Sequence, residues 1–255
     1  MTTALIDLEL SAPVNLRDLG GIPVAGGVLR DGFALRADDL AVVTERDAHE
    51  LVDRGLVAVI DLRTNDEAVL TGRGPLAEQP VAYHHLPLMA SIGSGMPQRG
   101  RVPFDHVSMG EMYAHMVETS APQLAAALSL IALAPGATAF HCAAGRDRTG
   151  VLAAMLLLAL GASDDAIVTD YARTDANMIA IQARMKPVMG VLLARLGFDL
   201  DDMAGLTTDT QPMDVSMRTM LARLRERHGD ALGPVRAAGL TDDIVARLRA
   251  RAVAE

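Results

Sequence analysis

Ten consecutive residues, 141–150, hold the only cysteine of this 255-residue chain, and five residues separate that cysteine from an arginine. The segment reads His-Cys-Ala-Ala-Gly-Arg-Asp-Arg-Thr-Gly, with an apolar, strand-like stretch before it and a helix-like stretch after it. The connecting loop should therefore wrap around a helix N-terminus, where unpaired N–H groups and the helix dipole stabilise an anion. These ten residues predict an anion-binding loop that carries a nucleophilic sulfur.

The residue types of this loop suit a phosphate group. Ala143, Ala144 and Gly145 have little or no side chain, which lets consecutive amides point at the same oxygen atoms. The planar guanidinium of Arg148 can hold two phosphate oxygens. Cysteine thiols at helix N-termini beside cations ionise more readily than free cysteine, so we expect Cys142 to be a nucleophilic thiolate at neutral pH.

The other positions of the loop offer acid–base and supporting groups. Asp147 could protonate the leaving oxygen and then activate water to release phosphate from sulfur, or it could be a loop-ordering carboxylate paired with an arginine. The backbone of Asp147 and the charged Arg146 belong to the predicted phosphate site. We expect Thr149 to hydrogen-bond the sulfur, and His141 to hold the loop through backbone contacts rather than act as a base.

The sequence gives weaker support to several other roles of a lone cysteine. Taken alone, such a residue is most often a small buried hydrophobe. A Walker loop would need Gly-Lys-Ser/Thr after four spacer residues, and a single Cys–His pair cannot complete a zinc site. A rhodanese-like sulfurtransferase and a non-catalytic phospho-ligand module remain as alternatives, although the Arg-Asp-Arg-Thr-Gly run and the complete Cys, Asp, Arg and Thr set favour phosphoryl chemistry.

Composition narrows the partners and the location. A formal net charge of −9 argues against a nucleic-acid-binding protein and against stable adhesion to an anionic membrane. One cysteine cannot form an intramolecular disulfide, and the N-terminus lacks the basic start and apolar run of a signal peptide. The longest apolar run, 151–160, is too short to span a bilayer. We expect a cytoplasmic protein without stable membrane insertion, and export without a recognisable leader remains compatible with these data.

Periodicity along the chain predicts strands interleaved with helices. Buried strands are expected at 56–61, 81–86 and 137–141, and a small hairpin at 28–36. Helices are expected at 44–55, 106–118, 122–133, 149–160, 176–195, 214–227 and 241–252. Two further helices are expected to begin at the capping residues Thr64 and 163–164. This order favours an α/β fold. Because no clear boundary is visible, we expect a single domain over 1–255.

Three arginines outside the loop have two possible roles. They could form a second positive shell around the anion, or pair with carboxylates on their own loops. Pairing is the favoured interpretation, because loop arginines near carboxylates usually pair with them. The expected pairs are Arg17 with Asp18, Arg36 with Asp38, and Arg63 with Asp61.

A group of apolar residues before the loop is ambiguous in the same way. Phe104, Tyr113 and Met116 could wall a pocket for an aromatic phosphoester. The spacing of Met109, Met112, Tyr113 and Met116 is, however, that of a buried helix face, which favours a core role.

The pattern His-Cys-x5-Arg-Thr at 141–149 is the signature of the cysteine-dependent protein tyrosine phosphatase superfamily, which this chain resembles. The complete decapeptide is similar to the bacterial branch typified by the mycobacterial protein tyrosine phosphatase B. Segments 15–21, 36–40, 60–67 and 238–243 are also similar to that branch. The resemblance spans most of the chain, and the decapeptide is its specific part.

The resemblance implies a parallel-rich central sheet flanked by helices, with the nucleophile loop at the C-terminal end of a strand. It implies Cys142 as nucleophile, Arg148 as phosphate clamp and Asp147 as general acid. The activity implied is that of a protein tyrosine phosphatase, with or without dual specificity, acting through a cysteinyl-phosphate intermediate and releasing inorganic phosphate. No metal or organic cofactor is expected. The branch often carries a helical lid, for which residues 171–220 are the candidate.

One position departs from the branch. Lysine is usual where this chain has Arg146, and that lysine is associated with activity on phosphoinositides. Arginine keeps the charge but changes reach and geometry. The expected substrate is therefore a phosphorylated protein, and a phosphoinositide phosphatase that uses the same loop is the alternative.

Overall fold

The computed structural model describes residues 9–91, 105–195 and 212–253, and its centre is a mostly parallel sheet. The strands are Arg17–Asp18 (β1), Pro23–Val24 (β2), Gly27–Val28 (β3), Ala34–Ala37 (β4), Leu56–Asp61 (β5), Ala82–His85 (β6) and Ala137–His141 (β7). Five of them form one sheet in the order β1-β4-β7-β5-β6, with only β1 antiparallel to its neighbour. Strands β2 and β3 form a separate antiparallel pair.

Helices cover both faces of this sheet. They are Glu45–Asp53 (α1), Asn65–Thr71 (α2), His106–Thr119 (α3), Ala121–Leu133 (α4), Asp147–Leu160 (α5), Asp164–Ala172 (α6), Met178–Arg195 (α7), Asp214–His228 (α8), Gly233–Ala237 (α9) and Asp242–Ala252 (α10). Side chains alternate along the strands, so Ile60 and Phe140 enter the larger core around α5, whereas Val59 and Ala139 enter a smaller one beside α1. The predicted α/β class, with a parallel-rich sheet flanked by helices, is confirmed.

The predicted caps and strands are largely right. The hydroxyls of Thr44, Ser163 and Thr241 each accept a hydrogen bond from the first turn of α1, α6 and α10. Strands β5 and β7 match their predicted bounds, because a continuous apolar run buried on both faces leaves little ambiguity. Helix α5 begins at Asp147, two residues before the predicted start at Thr149.

The predicted hairpin at 28–36 is wrong. Val28 pairs with Pro23, whereas β4 pairs with β1 and with β7. The carboxylate of Asp18 explains the difference, because it accepts hydrogen bonds from the amides of Gly20 and Gly32 at 2.8 and 2.7 Å. These bonds fold the turn after Asp31 against β1 rather than closing a local hairpin.

The helical segment 171–220 is joined to the main core at both of its ends. Tyr171 is 1% exposed, and Met217 and Met220 are completely buried. Helix α8 packs along α3, and the ion pair between Arg223 and Glu111 links the two helices at the surface. Residues 196–211 of the predicted lid lie outside the described residues.

Helix α7 is attached to the domain by both apolar and polar contacts. Leu70 of α2 forms a small cluster with Val188 and Leu192. Arg184 bonds the carboxylate of Asp38 at 2.5 Å and the carbonyl oxygen of Ser11 at 3.1 Å. A lid function of this helix stays a prediction, and the contacts above are what its movement would have to break.

No single helix in the described ranges is long and apolar enough to cross a bilayer. Helices α3 and α4 reach that threshold only as a pair bent by 76°, and by length and composition alone. Both belong to the larger core, where Tyr113, Leu124 and Leu128 are completely buried.

We expect the substitution Met220→Ala to lower the free energy of unfolding by about 2–5 kcal/mol, because it leaves a cavity between α8 and the core. The matched control is Leu133→Ala at a position that is 57% exposed, where a change within about 0.5 kcal/mol is expected. Urea unfolding followed by circular dichroism measures both. Equally small losses would show that α8 is not part of the core.

Candidate active site

The decapeptide occupies the turn between β7, which ends at His141, and α5, which begins at Asp147. This turn lies at the carboxyl edge of the parallel strands, where open α/β sheets bind their ligands. Gly145 has φ +67°, and a Cβ there would lie 2.5 Å from the carbonyl oxygen of Ala37. Only glycine fits this position, since both the backbone angle and the close approach exclude a side chain.

The carbonyl groups of three consecutive loop residues are bound from outside the loop. The Asp39 amide donates to the oxygen of Ala143 at 3.1 Å. The side-chain amide of Asn15 donates to the oxygens of Ala144 and Gly145, both at 3.2 Å. In a trans peptide the N–H points away from the C=O, so the amide of each following residue faces the opposite side. The loop therefore gathers consecutive N–H groups on one side, as an anion-binding nest does.

A buried ion-pair cluster supports the same loop from below. Arg36 is completely buried, donates to the oxygen of Gly145 at 2.8 Å and pairs with Asp170 of α6 at 2.5 Å. Arg17 reaches the other oxygen of Asp170 at 2.9 Å. Burial would raise the pKa of Asp170, but the two guanidiniums hold that pKa below its ordinary value. The ionised Asp170 thus keeps Arg36 in place under Gly145.

The prediction that Arg17 pairs with Asp18 and Arg36 with Asp38 is wrong. Both guanidiniums meet Asp170, which lies more than 130 residues away along the chain. The two predicted partners have other uses, because each accepts hydrogen bonds from backbone amides. Sequence proximity was therefore a poor guide where backbone amides compete for the carboxylate.

Arg63 pairs with Asp61, as predicted, and with a second carboxylate that connects it to the loop. Its guanidinium is completely buried and lies 2.6 Å from Asp61 and 3.0 Å from Asp39. The backbone amide of Asp39 is the donor to the carbonyl of Ala143. Arg63 therefore helps to fix one of the outward-facing carbonyls through its hold on Asp39.

Arg148 is oriented by a bidentate ion pair with Glu67. Its two terminal nitrogens lie 2.5 and 2.9 Å from the two carboxylate oxygens. Glu67 also accepts a hydrogen bond from the Thr64 amide at 2.7 Å, which completes the predicted capping box of α2. Burial would lower the pKa of Arg148, but attraction to Glu67 and to Cys142 raises it above its ordinary value. The guanidinium therefore stays charged.

Cys142 follows β7 directly and is 1% exposed, so the sulfur is covered by its own loop and the core. Ala144, Arg146 and Asp147 at the rim are partly exposed. The decapeptide therefore combines a covered sulfur with an accessible rim.

The carboxylate of Asp147 is held by a tyrosine. The hydroxyl of Tyr113 donates to Oδ1 of Asp147, and the hydroxyl of Tyr171 lies 2.8 Å from that of Tyr113. The side chain of Asp147 is 33% exposed, so it can also meet a ligand. Arg146 lies 3.7 Å from Asp147 and donates to the sulfur of Met109 at 3.3 Å.

His141 and Thr149 flank the loop as buried residues. The Leu40 amide donates a hydrogen bond to Nδ1 of His141 at 3.3 Å. Burial lowers the pKa of His141 in spite of the opposing attraction of Asp61, so the ring is neutral at pH 7. The hydroxyl of Thr149 has no hydrogen-bond partner within the described residues, and its bond to the sulfur stays a prediction for the substrate complex.

The loop presents hydrogen-bond donors, rather than acceptors, to a bound ligand. Backbone N–H groups and a guanidinium suit an oxyanion, whereas a metal ion needs oxygen, nitrogen or thiolate ligands. In the three described ranges, no group of three or more His, Cys, Asp or Glu side chains is placed to hold a metal ion.

Sequence reasoning missed several residues of this site. Glu67 was accounted for as a helix cap, and Asn15 lay in a family-like segment without a role of its own. Tyr171 gave no signal, since it lies 24 residues after Asp147. Tyr113 is completely buried, as its core spacing predicted, yet its hydroxyl reaches the site. Phe104, the other candidate pocket wall, lies outside the described residues.

Comparison with known proteins gives the same assignment. The sequence model of the tyrosine phosphatase family matches residues 8–254. A tyrosine-protein phosphatase of Nostoc commune is 34% identical over 149 residues, which are 58% of this chain and 50% of that protein, so this chain spans about half the length of that relative. The triple specificity protein phosphatase PtpB of Mycobacterium tuberculosis is 25% identical in an alignment of 276 positions, which covers 94% of this chain and 97% of PtpB.

Among solved structures, P. aeruginosa TpbA is 16% identical, with a TM-score of 0.31 over 80% of this chain and 85% of its own. This likeness is too distant to compare details of the site. The family match covers nearly the whole chain and includes the decapeptide. The resemblance inferred from the sequence is thus confirmed, and the chain belongs to the tyrosine phosphatase family.

Proposed function

We propose that this chain hydrolyses phosphomonoesters as a protein tyrosine phosphatase, through a cysteinyl-phosphate intermediate on Cys142. One observation carries the proposal: three loop carbonyls are bound from outside the loop, which directs the following amides to its other side, and Glu67 holds the arginine of the same loop, Arg148, in a bidentate ion pair. Donors fixed in advance around a developing oxyanion are usually the largest single contribution to catalysis.

The first step transfers the phosphoryl group to sulfur. The loop amides and Arg148 bind the phosphate oxygens, and the Cys142 thiolate attacks phosphorus. The bond from phosphorus to the ester oxygen breaks as Asp147 gives that oxygen its proton. Glu67 uses one N–H on each terminal nitrogen of Arg148, which leaves the other N–H groups of the fork for phosphate.

The second step returns the enzyme to its initial state. Asp147, now a carboxylate, takes a proton from water as that water attacks phosphorus. The sulfur–phosphorus bond breaks, inorganic phosphate leaves, and Cys142 is again a thiolate. The hydroxyl of Thr149 would stabilise that thiolate by a hydrogen bond. This hydroxyl has no other hydrogen-bond partner within the described residues.

The position of Arg146 supports a phosphoprotein rather than a phosphoinositide substrate. Its side chain is 16% exposed and turns toward the sulfur of Met109 and toward Asp147. A guanidinium held inside the protein in this way is poorly placed to bind a second phosphate on an inositol ring. The net charge of −9 also disfavours an anionic lipid surface.

A reducing compartment such as the cytoplasm suits this chemistry. The thiolate of Cys142 has to remain reduced, and thiolates are the cysteine form most easily oxidised. The chain contains no second cysteine that could protect it as a disulfide.

The proposed function is tested by phosphate release from phosphotyrosine, phosphoserine and phosphoinositide substrates. Cys142→Ser is expected to abolish turnover and retain phosphate binding measured by calorimetry, whereas Arg148→Ala loses both. Turnover that survives in Cys142→Ser would rule out the covalent mechanism. A higher kcat/KM on phosphoinositides than on phosphotyrosine peptides would favour the alternative substrate.

The acid role of Asp147 is tested with aryl phosphates of graded leaving-group pKa. Asp147→Asn cannot donate the proton, so we expect about a 10²-fold or greater loss of kcat/KM with poor leaving groups. Leaving groups that depart as stable anions need no acid, so their kcat/KM, which reports phosphoryl transfer to Cys142 and not the later hydrolysis, should stay almost normal. An equal loss with all leaving groups would argue that Asp147 only orders the loop.

A further inference from the structure

We propose that the hydroxyls of Tyr113 and Tyr171 act as positioning residues that hold Asp147 in the orientation required for proton transfer. This inference rests on the proposed function and extends it to residues outside the signature loop. The two tyrosines come from α3 and α6, which brings the acid under the control of helices far from it in sequence.

The geometry defines which oxygen of Asp147 is held. Tyr113 donates to Oδ1, and the 3.7 Å contact with Arg146 is to the same oxygen. Within the described residues, Oδ2 takes part in neither contact and can carry the proton toward the leaving oxygen. Fixing one carboxylate oxygen and presenting the other is the arrangement a directional acid needs.

The direction of the hydrogen bonds follows from the number of protons. Tyr113 has one hydroxyl proton, which it gives to Asp147, so its oxygen accepts from Tyr171 at 2.8 Å. When Asp147 holds its transferable proton on Oδ2, this arrangement is unchanged. The tyrosines therefore orient the carboxyl group both before and after the proton has moved.

Burial makes this pair rigid. Tyr113 is completely buried and Tyr171 is 1% exposed, and their rings meet edge to face with centroids 6.1 Å apart. Buried hydroxyls need partners, and here each is satisfied by the other or by Asp147. The loss of either hydroxyl would break this chain of hydrogen bonds and leave the partner of that hydroxyl without one of its bonds.

The last glycine of the decapeptide has its explanation in the same contact. A Cβ on Gly150 would lie 2.9 and 3.0 Å from two ring carbons of Tyr171. Glycine therefore allows Tyr171 to approach the first turn of α5, directly behind Asp147. The close approach between the loop and the tyrosine pair is thus built into the signature itself.

Neither tyrosine is suited to be the acid in place of Asp147. Burial raises the pKa of Tyr113 far above its ordinary value, and Asp147 adds to this effect. Burial also raises the pKa of Tyr171, although Arg146 opposes it. Both hydroxyls are therefore weaker acids than an ordinary tyrosine, and their burial keeps them away from a substrate, which leaves them the role of orienting Asp147.

The test is Tyr113→Phe, which keeps the ring and removes the hydroxyl. We expect kcat/KM with poor leaving groups to fall by about tenfold or more, because the acid is no longer held in place. Phosphate binding and kcat/KM with good leaving groups should stay within about twofold of wild type, because kcat/KM does not include the later hydrolysis step. In Asp147→Asn the same substitution should have no further effect, since coupled residues are not additive.

Tyr83→Phe is the matched control, because it removes a hydroxyl bonded to a different carboxylate, Asp61. Its leaving-group dependence should equal that of wild type. Tyr171→Phe should show the leaving-group effect of Tyr113→Phe in smaller measure, and it carries the test if Tyr113→Phe does not fold.

Equal losses with every leaving group, or losses additive with Asp147→Asn, would overturn the inference and leave the tyrosines as core residues. In that case a normal Asp147→Asn result would leave the proposed function standing. Absence of phosphatase activity in the wild type would overturn both.

Discussion

The site depends on the direction of three peptide groups. Their carbonyls are bound from outside the loop by Asn15, by Arg36 and by the Asp39 amide, so the following amides face the other side of the loop. A short loop of small residues could otherwise adopt many conformations. The surrounding strands and helices therefore contribute to phosphate binding mainly by fixing the outer side of this loop.

Such a loop requires positive charge in the interior of the protein, which is costly unless each charge is paired. Three buried arginines meet this requirement with buried carboxylates: Arg36 with Asp170, Arg63 with Asp39 and Asp61, and Arg148 with Glu67. The pairs also orient their guanidiniums. Glu67 fixes the edge that Arg148 offers to a ligand, and Asp170 fixes Arg36 beneath the loop. Charge compensation and alignment of the site are therefore achieved by the same contacts.

An interaction of the fold or of the site could be predicted from the sequence when its partners are close together along the chain. The nucleophile loop, the strand before it and the helix after it are encoded by adjacent residues, and so are caps such as Thr44 and Thr64. The partners of Arg36 and Arg148 are not, because 134 and 81 residues separate them from their carboxylates. The sequence indicated Glu67 only as a helix cap, because the capping pattern does not show what the other carboxylate oxygen binds. Tyr171 left no pattern at all, because a single buried hydroxyl does not alter helix periodicity.

The most direct test of this account is a crystal structure of the Cys142→Ser protein with bound orthophosphate. We predict phosphate oxygens at about 2.7–3.2 Å from the amides of residues 144–146 and from the guanidinium of Arg148. The carbonyls of the preceding residues should keep their bonds to Asp39, Asn15 and Arg36. Phosphate bound elsewhere, or a loop whose carbonyls turn toward the anion site, would contradict the account.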